Sequence, residues 1–406
     1  MPNIDRCDAC LNQGFRLLTL GRPPVRGRGR DPGGSAEPRY VSSMCRSLFL
    51  SVWLCGVMAA LPCAEWPCFR GDPAMSGASE TILKLPLKRL WRSELSSAPG
   101  TPAVAGGRVL IGAQDKKLRC LDLANGTVQW TYPAGHSLSA APLVTEGLVV
   151  IGDNGGWLHA VACDTGALRW KTEIGGQIAA GANRYGSTLV VGSYANDVLG
   201  LALADGAVQW RIATDAQVYA SVAISGRHGA IAGCDGKLRL LDLAQGREIA
   251  QADLGTMTGG TSAMRDGRML IATMEGTWWA LVEADTKVLW KGRADKHTFL
   301  ASPALAAKHA LLFSREGALI CLDPADGKLR WRKDFSQGGD ASPLICGDNA
   351  VIADSDGLVR LVSLADGAER WRFATGSTIA ASPVLGDGRL LICAQDGGVY
   401  CFAGAP

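Results

Sequence analysis

Residues 323–331 read Asp-Pro-Ala-Asp-Gly-Lys-Leu-Arg-Trp, and residues 122–130 read Asp-Leu-Ala-Asn-Gly-Thr-Val-Gln-Trp. Both stretches place a glycine four residues before a tryptophan. The same spacing recurs at Gly166/Trp170, Gly206/Trp210 and Gly367/Trp371. The tryptophans of the series lie 39–41 residues apart, with one double interval of 80 residues after Trp210. A period near 40 residues is typical of propeller and solenoid repeats.

Two repeats depart from the pattern. Ala250 stands where the tryptophan is expected, four residues after Gly246, and Thr286 replaces the glycine before Trp290. The tryptophans that keep the period, and to which we assign a structural docking role, are Trp91, Trp130, Trp170, Trp210, Trp290, Trp331 and Trp371. The adjacent pair Trp278-Trp279 lies outside the period, and we expect one of the two to replace the packing that Ala250 lacks.

Each repeat contains four short apolar segments separated by turn residues. In residues 338–371 the turns are Gly-Asp-Asn, Asp-Gly and a second Asp-Gly, where glycine provides the positive φ that tight hairpins need. No window shows sustained helical periodicity with caps. Four-stranded units of this length predict propeller blades.

The two ends of the repeat region are complementary. Residues 372–406 contain three strand segments and no tryptophan, whereas residues 85–95 contain one segment with Trp91. A strand from the start of the region would complete the last blade and remove an exposed edge. The sequence therefore predicts an all-β, eight-bladed β-propeller of four-stranded antiparallel blades, closed by its N-terminal strand, over residues 85–406.

The residues before the repeats differ in composition. Residues 1–64 hold eight arginines against four acids, so the formal charge of +3 gives no argument for a nucleic-acid partner of the folded part. We interpret 1–43 as a disordered or misassigned upstream segment and 44–64 as a signal peptide, because its apolar run is too short to span a bilayer. Residues 65–84 are expected to be an extended N-terminal segment. Lipid modification of Cys63 is an alternative means of attachment.

After the leader, the cysteines are scattered, and most fall within predicted strands. There is no adjacent pair and no Cys-x-x-Cys beyond residue 64. Export would permit disulfides, but a cysteine inside a strand behaves as a small apolar residue. We expect mostly free, buried thiols and no metal site.

The Asp-x-x-x-Gly-x-x-x-Trp pattern resembles the tryptophan-docking motif of propellers built from pyrroloquinoline quinone (PQQ) repeats. Residues 66–71, Trp-Pro-Cys-Phe-Arg-Gly, are similar to the start of exported, BamB-like members of that family. The resemblance implies that each tryptophan packs between neighbouring blades. It also implies an alternative function, because the family includes quinoprotein dehydrogenases that use PQQ, Ca²⁺, a catalytic Asp and adjacent cysteines. The even repeat length leaves little room for the inserted loops of such a site.

Acidic residues occupy the turn between the second and third strands of most repeats. They are Asp115, Asp153, Asp235, Glu275, Glu316, Asp356 and Asp396. They form either a ring of carboxylates that binds cations or basic surfaces, or a set of hairpin turns that favour Asp-Gly. We favour the second interpretation, because turn chemistry alone requires these residues.

Loops that enter the innermost strands share a face with these turns and differ from repeat to repeat. This surface, the channel mouth, either binds a small polar ligand or a peptide, or is a solvated rim of loops. The candidate residues are His136, Gln177, Gln217, Tyr219, Lys296, His297 and Asp340. His136 and His297 fall four blades apart and are therefore not expected to share a metal.

The function predicted from the sequence is that of an exported, non-catalytic, monomeric scaffold. It would bind a protein or another macromolecule of the cell envelope, in the periplasm or outside the cell, without a transmembrane segment, a nucleic-acid partner or a resident cofactor. The main alternative is a PQQ-dependent oxidoreductase or a reduced relative, with PQQ and Ca²⁺ as cofactors. A third possibility is a sensor of small ligands or carbohydrates.

Overall fold

A computed structural model of the chain describes residues 65–404. The predicted upstream segment, the signal peptide and Cys63 lie outside the described residues. Within these residues all regular secondary structure is β, and no helix has the length and apolar character to cross a lipid bilayer.

The strands follow one another with short turns. Those up to the middle of the ring are β1 (Ala78–Ser79), β2 (Leu87–Glu94), β3 (Ala103–Ala105), β4 (Arg108–Gly112), β5 (Lys117–Asp122), β6 (Val128–Pro133), β7 (Leu143–Thr145), β8 (Leu148–Gly152), β9 (Trp157–Ala162), β10 (Leu168–Glu173), β11 (Asn183–Tyr185), β12 (Thr188–Ser193), β13 (Asp197–Ala202), β14 (Val208–Ala213), β15 (Ala223–Ser225), β16 (His228–Ala232), β17 (Lys237–Asp242) and β18 (Arg247–Asp253). The others are β19 (Ala263–Arg265), β20 (Arg268–Ala272), β21 (Thr277–Val282), β22 (Val288–Arg293), β23 (Ala304–Leu305), β24 (Ala310–Phe313), β25 (Ala318–Leu322), β26 (Leu329–Asp334), β27 (Leu344–Cys346), β28 (Asn349–Ala353), β29 (Leu358–Ser363), β30 (Glu369–Ala374), β31 (Val384–Gly386), β32 (Arg389–Cys393) and β33 (Gly398–Gly404).

These strands form eight sheets that we number as blades in chain order. Blades 1 to 7 take four consecutive strands each, from β3–β6 in blade 1 to β27–β30 in blade 7. Blade 8 has the order β2-β33-β32-β31, so its outer strand comes from the start of the folded region. The predicted eight-bladed propeller and its closure by the N-terminal strand are confirmed.

The docking role of the tryptophans is also visible. Six of the seven indoles donate from Nε1 to a backbone carbonyl of the next blade at 2.7–3.3 Å, as Trp170 does to Leu203 at 3.0 Å. Trp210 packs instead over Gly246. Each outer strand has a β-bulge at the residue before the tryptophan position, which bends the strand locally.

The short segment before β2 follows the inside of the ring. Trp66 exchanges two backbone hydrogen bonds with Val104 of blade 1, both at 2.9 Å. Backbone carbonyls between Pro67 and Gly77 then accept N–H groups from the innermost strands of blades 2, 4, 5, 6 and 7, and β1 pairs in parallel with β27. The segment therefore covers edges that would otherwise be unpaired. It occupies the channel at the level of the innermost strands, where Arg70 and Met75 are fully buried.

The eight cysteines among the described residues are unpaired, as expected. Six are buried, and Cys163 and Cys234 are partly exposed. Burial raises the pKa of the Cys120, Cys321, Cys346 and Cys401 thiols to about 12, so these groups stay protonated near neutral pH.

Candidate binding site at the channel mouth

The mouth is built from two sets of loops that are tied to each other in every blade. The second residue of each hairpin turn between the second and third strands donates its N–H to a carbonyl of the loop that enters the innermost strand. The donors are Gln114, Asn154, Tyr194, Cys234, Met274, Arg315, Ser355 and Gln395, at 2.9–3.1 Å. The two sets of loops therefore share one face, as the sequence predicts, and the repeated bond holds the mouth in a fixed shape.

The two mouth histidines lie in different environments and are not brought together. His136, before blade 2, is exposed, and its ring lies against Gly155, where an added Cβ would stand 2.1 Å from Cδ2. His297, before blade 6, has Nδ1 2.9 Å from the Ser314 hydroxyl and Nε2 3.0 Å from an Arg332 nitrogen. His297 is therefore part of a local hydrogen-bond network rather than a free group at the rim.

Of the other predicted mouth residues, some hold the loops through their backbone and others expose their side chains at the mouth. Gln177 and Gln217 accept the turn N–H through their main-chain carbonyls, and Lys296 is exposed at a positive φ of 65°. Tyr219 is 50% exposed, and its ring centroid lies 5.8 Å from that of Tyr194.

Asp340 forms a two-pronged ion pair across neighbouring blades. Its carboxylate oxygens accept from Nε and Nη2 of Arg315 at 2.6 and 2.7 Å. Hydrogen bonding to Asp340 raises the pKa of Arg315. The fork geometry fixes both side chains at the rim and cancels their charges.

Two of the hairpin acids make the backbone contact that the turn interpretation requires. Carboxylates of Asp235 and Asp396 accept N–H groups two residues ahead, at 3.1 and 2.9 Å. Asp115 pairs with Arg119, and this contact lowers the pKa of the carboxyl to about 2.

Asp153 is not in register with the other hairpin acids. It stands two residues earlier, at the position of Asp354, where its Oδ1 accepts the N–H groups of Gly155 and Trp157. It is fully buried, and Oδ2 lies 3.0 Å from Nε2 of His159. Nδ1 of His159 in turn lies 3.0 Å from the Tyr132 hydroxyl, so Asp153 belongs to a network between blades 1 and 2.

Below the rim the channel holds a cavity of about 460 Å³. Two positions of each entering loop line most of it. The upper position varies and provides Ser139, Ala179, Tyr219, Gly259, Leu300, Asp340 and Ala380. The lower position, two residues before the first residue of each innermost strand, provides Thr101, Ala141, Gly181, Ser221, Thr261, Ser302, Ser342 and Ser382.

The lower position escaped the sequence analysis. Its signal was present, since a hydroxyl residue precedes Pro102, Pro303, Pro343 and Pro383 in the repeats. The two small residues of this set, Ala141 and Gly181, lie beside Phe69, and a Cβ on Gly181 would stand 3.4 Å from that of Phe69. The N-terminal segment thus forms part of the cavity lining where two hydroxyls are missing.

The donor set of a quinoprotein calcium site is not assembled here. Within residues 65–404, no three His, Cys, Asp or Glu side chains are grouped so that they could hold a metal ion. The residues around the cavity are mainly hydroxyl-bearing, small or apolar, with one internally neutralised ion pair. They do not fit PQQ with Ca²⁺.

Sequence comparison agrees with the repeat pattern and the ring. The family model described as outer membrane protein assembly factor BamB matches residues 154–233 and 234–405, well over half of the chain. The chain belongs to this family of PQQ-like repeat propellers.

Solved structures show the same fold in proteins of different kinds. BamB from Moraxella catarrhalis superposes with a TM-score of 0.70 at 20% identity, over 78% of this chain and 98% of that one. The computationally designed Ika8 protein gives 0.70 at 14% identity, over 78% and 99%. Quinohemoprotein alcohol dehydrogenase from Comamonas testosteroni gives 0.73 at 12% identity, over 84% and 81%. No curated protein sequence matches the chain significantly. At these identities the structural matches establish the fold and leave function to the site.

Proposed function

We propose that this protein is an exported, non-catalytic, monomeric scaffold that binds a protein or another macromolecule of the cell envelope at its channel mouth. The proposal places it in the periplasm or outside the cell, with 44–64 as the export signal. It assigns no nucleic-acid partner and no resident cofactor.

The observation that carries the proposal is an exposed pair of large apolar side chains on the mouth. Tyr219 of blade 4 and Met257, in the loop that enters blade 5, are 50% and 46% exposed. Exposed apolar side chains that cluster on one surface mark contacts with other molecules more often than isolated ones do, and both residue types are enriched in protein interfaces. The pair lies where otherwise equivalent repeats diverge.

Family membership supports the same reading. The matching family model carries the description of an outer membrane assembly factor, and the BamB structure has the same fold over nearly its whole length. A ring whose loops are tied by repeated backbone bonds presents such a surface with little loss of backbone conformational entropy on binding.

The test is site-specific photocrosslinking in native cells. A benzoylphenylalanine replaces Gln217, which is exposed at the mouth, and in a matched protein it replaces Leu329, which is 60% exposed at the start of β26 on the other side of the blade. We expect a discrete crosslinked partner from position 217 only. Equal crosslinks from both positions, or crosslinks from position 329 alone, would contradict a partner site at the mouth.

The fold match to a quinohemoprotein dehydrogenase makes PQQ-dependent oxidation the second candidate. It is tested by adding PQQ and Ca²⁺ to the purified protein, desalting, and measuring the cofactor absorbance together with dye-linked alcohol oxidation. Our proposal predicts that neither signal remains. Retained cofactor with turnover would replace the scaffold function by an oxidoreductase function.

A further inference from the structure

Six lower-position residues form an open, directed arc of five hydrogen bonds in the cavity. Along this arc, the backbone N–H of each residue donates to the hydroxyl at the same position in the next blade. The bonds run from Ser221 to Thr261, Ser302, Ser342, Ser382 and Thr101 in turn, at 2.9–3.0 Å. A hydroxyl that accepts in this way keeps its own hydrogen to donate. The arc therefore leaves hydroxyl groups that can still donate a hydrogen bond at the lining of the cavity.

Apart from the partly exposed Thr101, these hydroxyl residues are buried, although their hydroxyl hydrogens have no acceptor among the described residues. Ser302 and Ser342 are each 3% exposed, and the Ser221 Oγ, equally buried, has no hydrogen-bond partner at all among residues 65–404. Buried polar groups are normally paired, because leaving one unpaired costs free energy. A molecule whose oxygen atoms accept hydrogen bonds from these hydroxyls would remove this cost.

The cavity selects against a net charge. Arg315 and Asp340, the charged side chains that line it, neutralise each other in the two-pronged pair described above. A charged ligand would have to lose its hydration without gaining a counter-charge. A neutral ligand carries no such penalty.

The upper part of one cavity wall is apolar. Tyr219, Met274 and Leu300 face it from blades 4 to 6, and Phe69 reaches it from the N-terminal segment. Leu300 lies over Gly259, where an added Cβ would be 2.1 Å from its Cδ2, so this wall is already closely packed. The lower position of the same blades carries the hydroxyls of Ser221, Thr261 and Ser302, and those of Ser342, Ser382 and Thr101 follow around the cavity.

We propose that this cavity binds a neutral sugar, either free or as the terminal unit of a glycan. A pyranose ring has C–H faces that suit the apolar wall and hydroxyl and ring oxygens at its edge that suit the donors. The volume of about 460 Å³ lies within the range of roughly 300–1,000 Å³ that is usual for small-molecule pockets. This site is additional to the partner surface. The two share Tyr219, but Gln217 and Met257 of the partner surface do not line the cavity.

The test uses purified protein and four probes. Glucose and N-acetylglucosamine are neutral, and glucuronate and glucosamine are their charged counterparts. We expect saturation-transfer NMR and calorimetry to show the neutral probes binding at least tenfold more tightly than the charged ones. Bound sugar should also slow maleimide labelling of Cys234, which lines the cavity and is partly exposed.

The deciding variant is Ala380→Trp, because Ala380 is exposed within the cavity and a bulky ring there would fill it without disturbing the buried core. Its control is Ala325→Trp, at an exposed turn between β25 and β26 on the other face. We expect at least a tenfold loss of sugar affinity for the first variant and none for the second. Maltoheptaose binding better than glucose would identify a glycan end, and the reverse order a free sugar.

No binding of either neutral probe, or equal binding by the Ala380→Trp variant, would overturn this inference. Both variants keep Tyr219, Met257 and Gln217, so the partner experiment can succeed or fail independently of the sugar experiment.

Discussion

At the scale of single residues, the repeat depends on a glycine that lies under the tryptophan of the preceding blade. A Cβ on Gly206 would stand 2.5 Å from Cε3 of Trp170, and the glycine has φ of +73°. The two exceptions in the sequence are neighbours in the ring. Ala250 of blade 4 provides no indole, and blade 5 accordingly tolerates Thr286, whose hydroxyl donates to the Gln251 carbonyl at 3.2 Å.

Near Ala250, the next blade contributes an aromatic side chain to the same part of the core. Trp279 and Ala250 both pack against the buried cluster that includes Leu240, and Lys291 lies over the Trp279 ring at 4.8 Å. Its neighbour Trp278 points into a different cluster and meets Phe299 edge-on at 6.0 Å. Trp279 Nε1 donates to the Thr277 hydroxyl of its own strand at 3.2 Å, unlike the docking indoles, so a replacement of the missing docking residue stays a prediction for Trp279.

The close approach of glycine and indole predicts that two glycine-to-alanine variants differ in unfolding free energy. Gly206→Ala meets both the strain of a positive φ and the indole, whereas Gly147→Ala, at φ of +75°, meets nothing within 4 Å. We expect Gly147→Ala to lose about 1–2 kcal/mol of unfolding free energy from strain. Gly206→Ala should lose about 1–3 kcal/mol more from overpacking. Urea unfolding measures both, and equal losses would contradict the docking role of the glycine.

A pH effect is expected from the buried network of Asp153, His159 and Tyr132. Burial lowers the pKa of His159 below its ordinary value of 6.5, and this outweighs the opposite effect of Asp153. Below pH 6.5 the unfolded chain therefore binds a proton that the folded protein does not, so stability falls as the pH drops through this value.

The variant His159→Gln tests this effect, because it removes the titrating group and keeps an amide that can hydrogen-bond. Unfolding free energies measured between pH 7.5 and pH 5.5 should fall less for the variant than for the wild type. Parallel pH profiles would show that His159 does not titrate in the way its burial implies.

At the scale of elements, the ring is closed by β2. The strand pairs with β33 from Leu87 to Glu94, and Trp371 of blade 7 donates to the Leu87 carbonyl at 3.0 Å. The largest buried cluster spans blades 7, 8 and 1 and includes Leu87, Val399 and Val109. The closing seam is thus packed like the other joints of the ring.

Closure by β2 predicts that the contact between blades 7 and 8 stabilises the protein as much as the contact between blades 2 and 3. Trp371→Ala and Trp170→Ala should each lower the unfolding free energy by about 3–5 kcal/mol, because both leave a cavity between blades. Chemical denaturation of the two variants provides the measurement. A loss for Trp371→Ala of less than half that for Trp170→Ala would indicate that blade 8 is not docked firmly on blade 7.

The sequence predicts those elements whose signal is local and repeated. Turn glycines, strand alternation and the tryptophan period are set by each blade alone, so blade number and closure could be derived before the structure. The course of the N-terminal segment could not be derived, because its hydrogen bonds join strands up to about 270 residues away. For example, the Ile345 N–H donates to the Gly77 carbonyl. The sequence did not reveal that Asp153 stands two residues before the other hairpin acids, because Asp-Asn-Gly-Gly at 153–156 resembles the Asp-Gly turns of the other repeats.

At the scale of the whole molecule, the protein is a ring of nearly equal blades whose differences collect on one face. The candidate site was predicted only as a region, since loop positions can be counted but side-chain partners cannot. His297 and Asp340 turned out to be engaged with Arg332 and Arg315, whereas Tyr219 remains half exposed. The partner surface that we propose therefore centres on Tyr219 and Met257 rather than on the histidines.

The most direct test of this account is capture of the partner from native envelopes by the wild type and by a Tyr219→Ser, Met257→Ser double variant. Both side chains are about half exposed, so their replacement should leave the melting temperature unchanged. A Val208→Ser variant, at an exposed site on β14, serves as the control. We predict that a reproducible partner of the wild type and the control falls at least tenfold in yield with the double variant. Undiminished capture by a folded double variant would contradict a binding surface at the channel mouth.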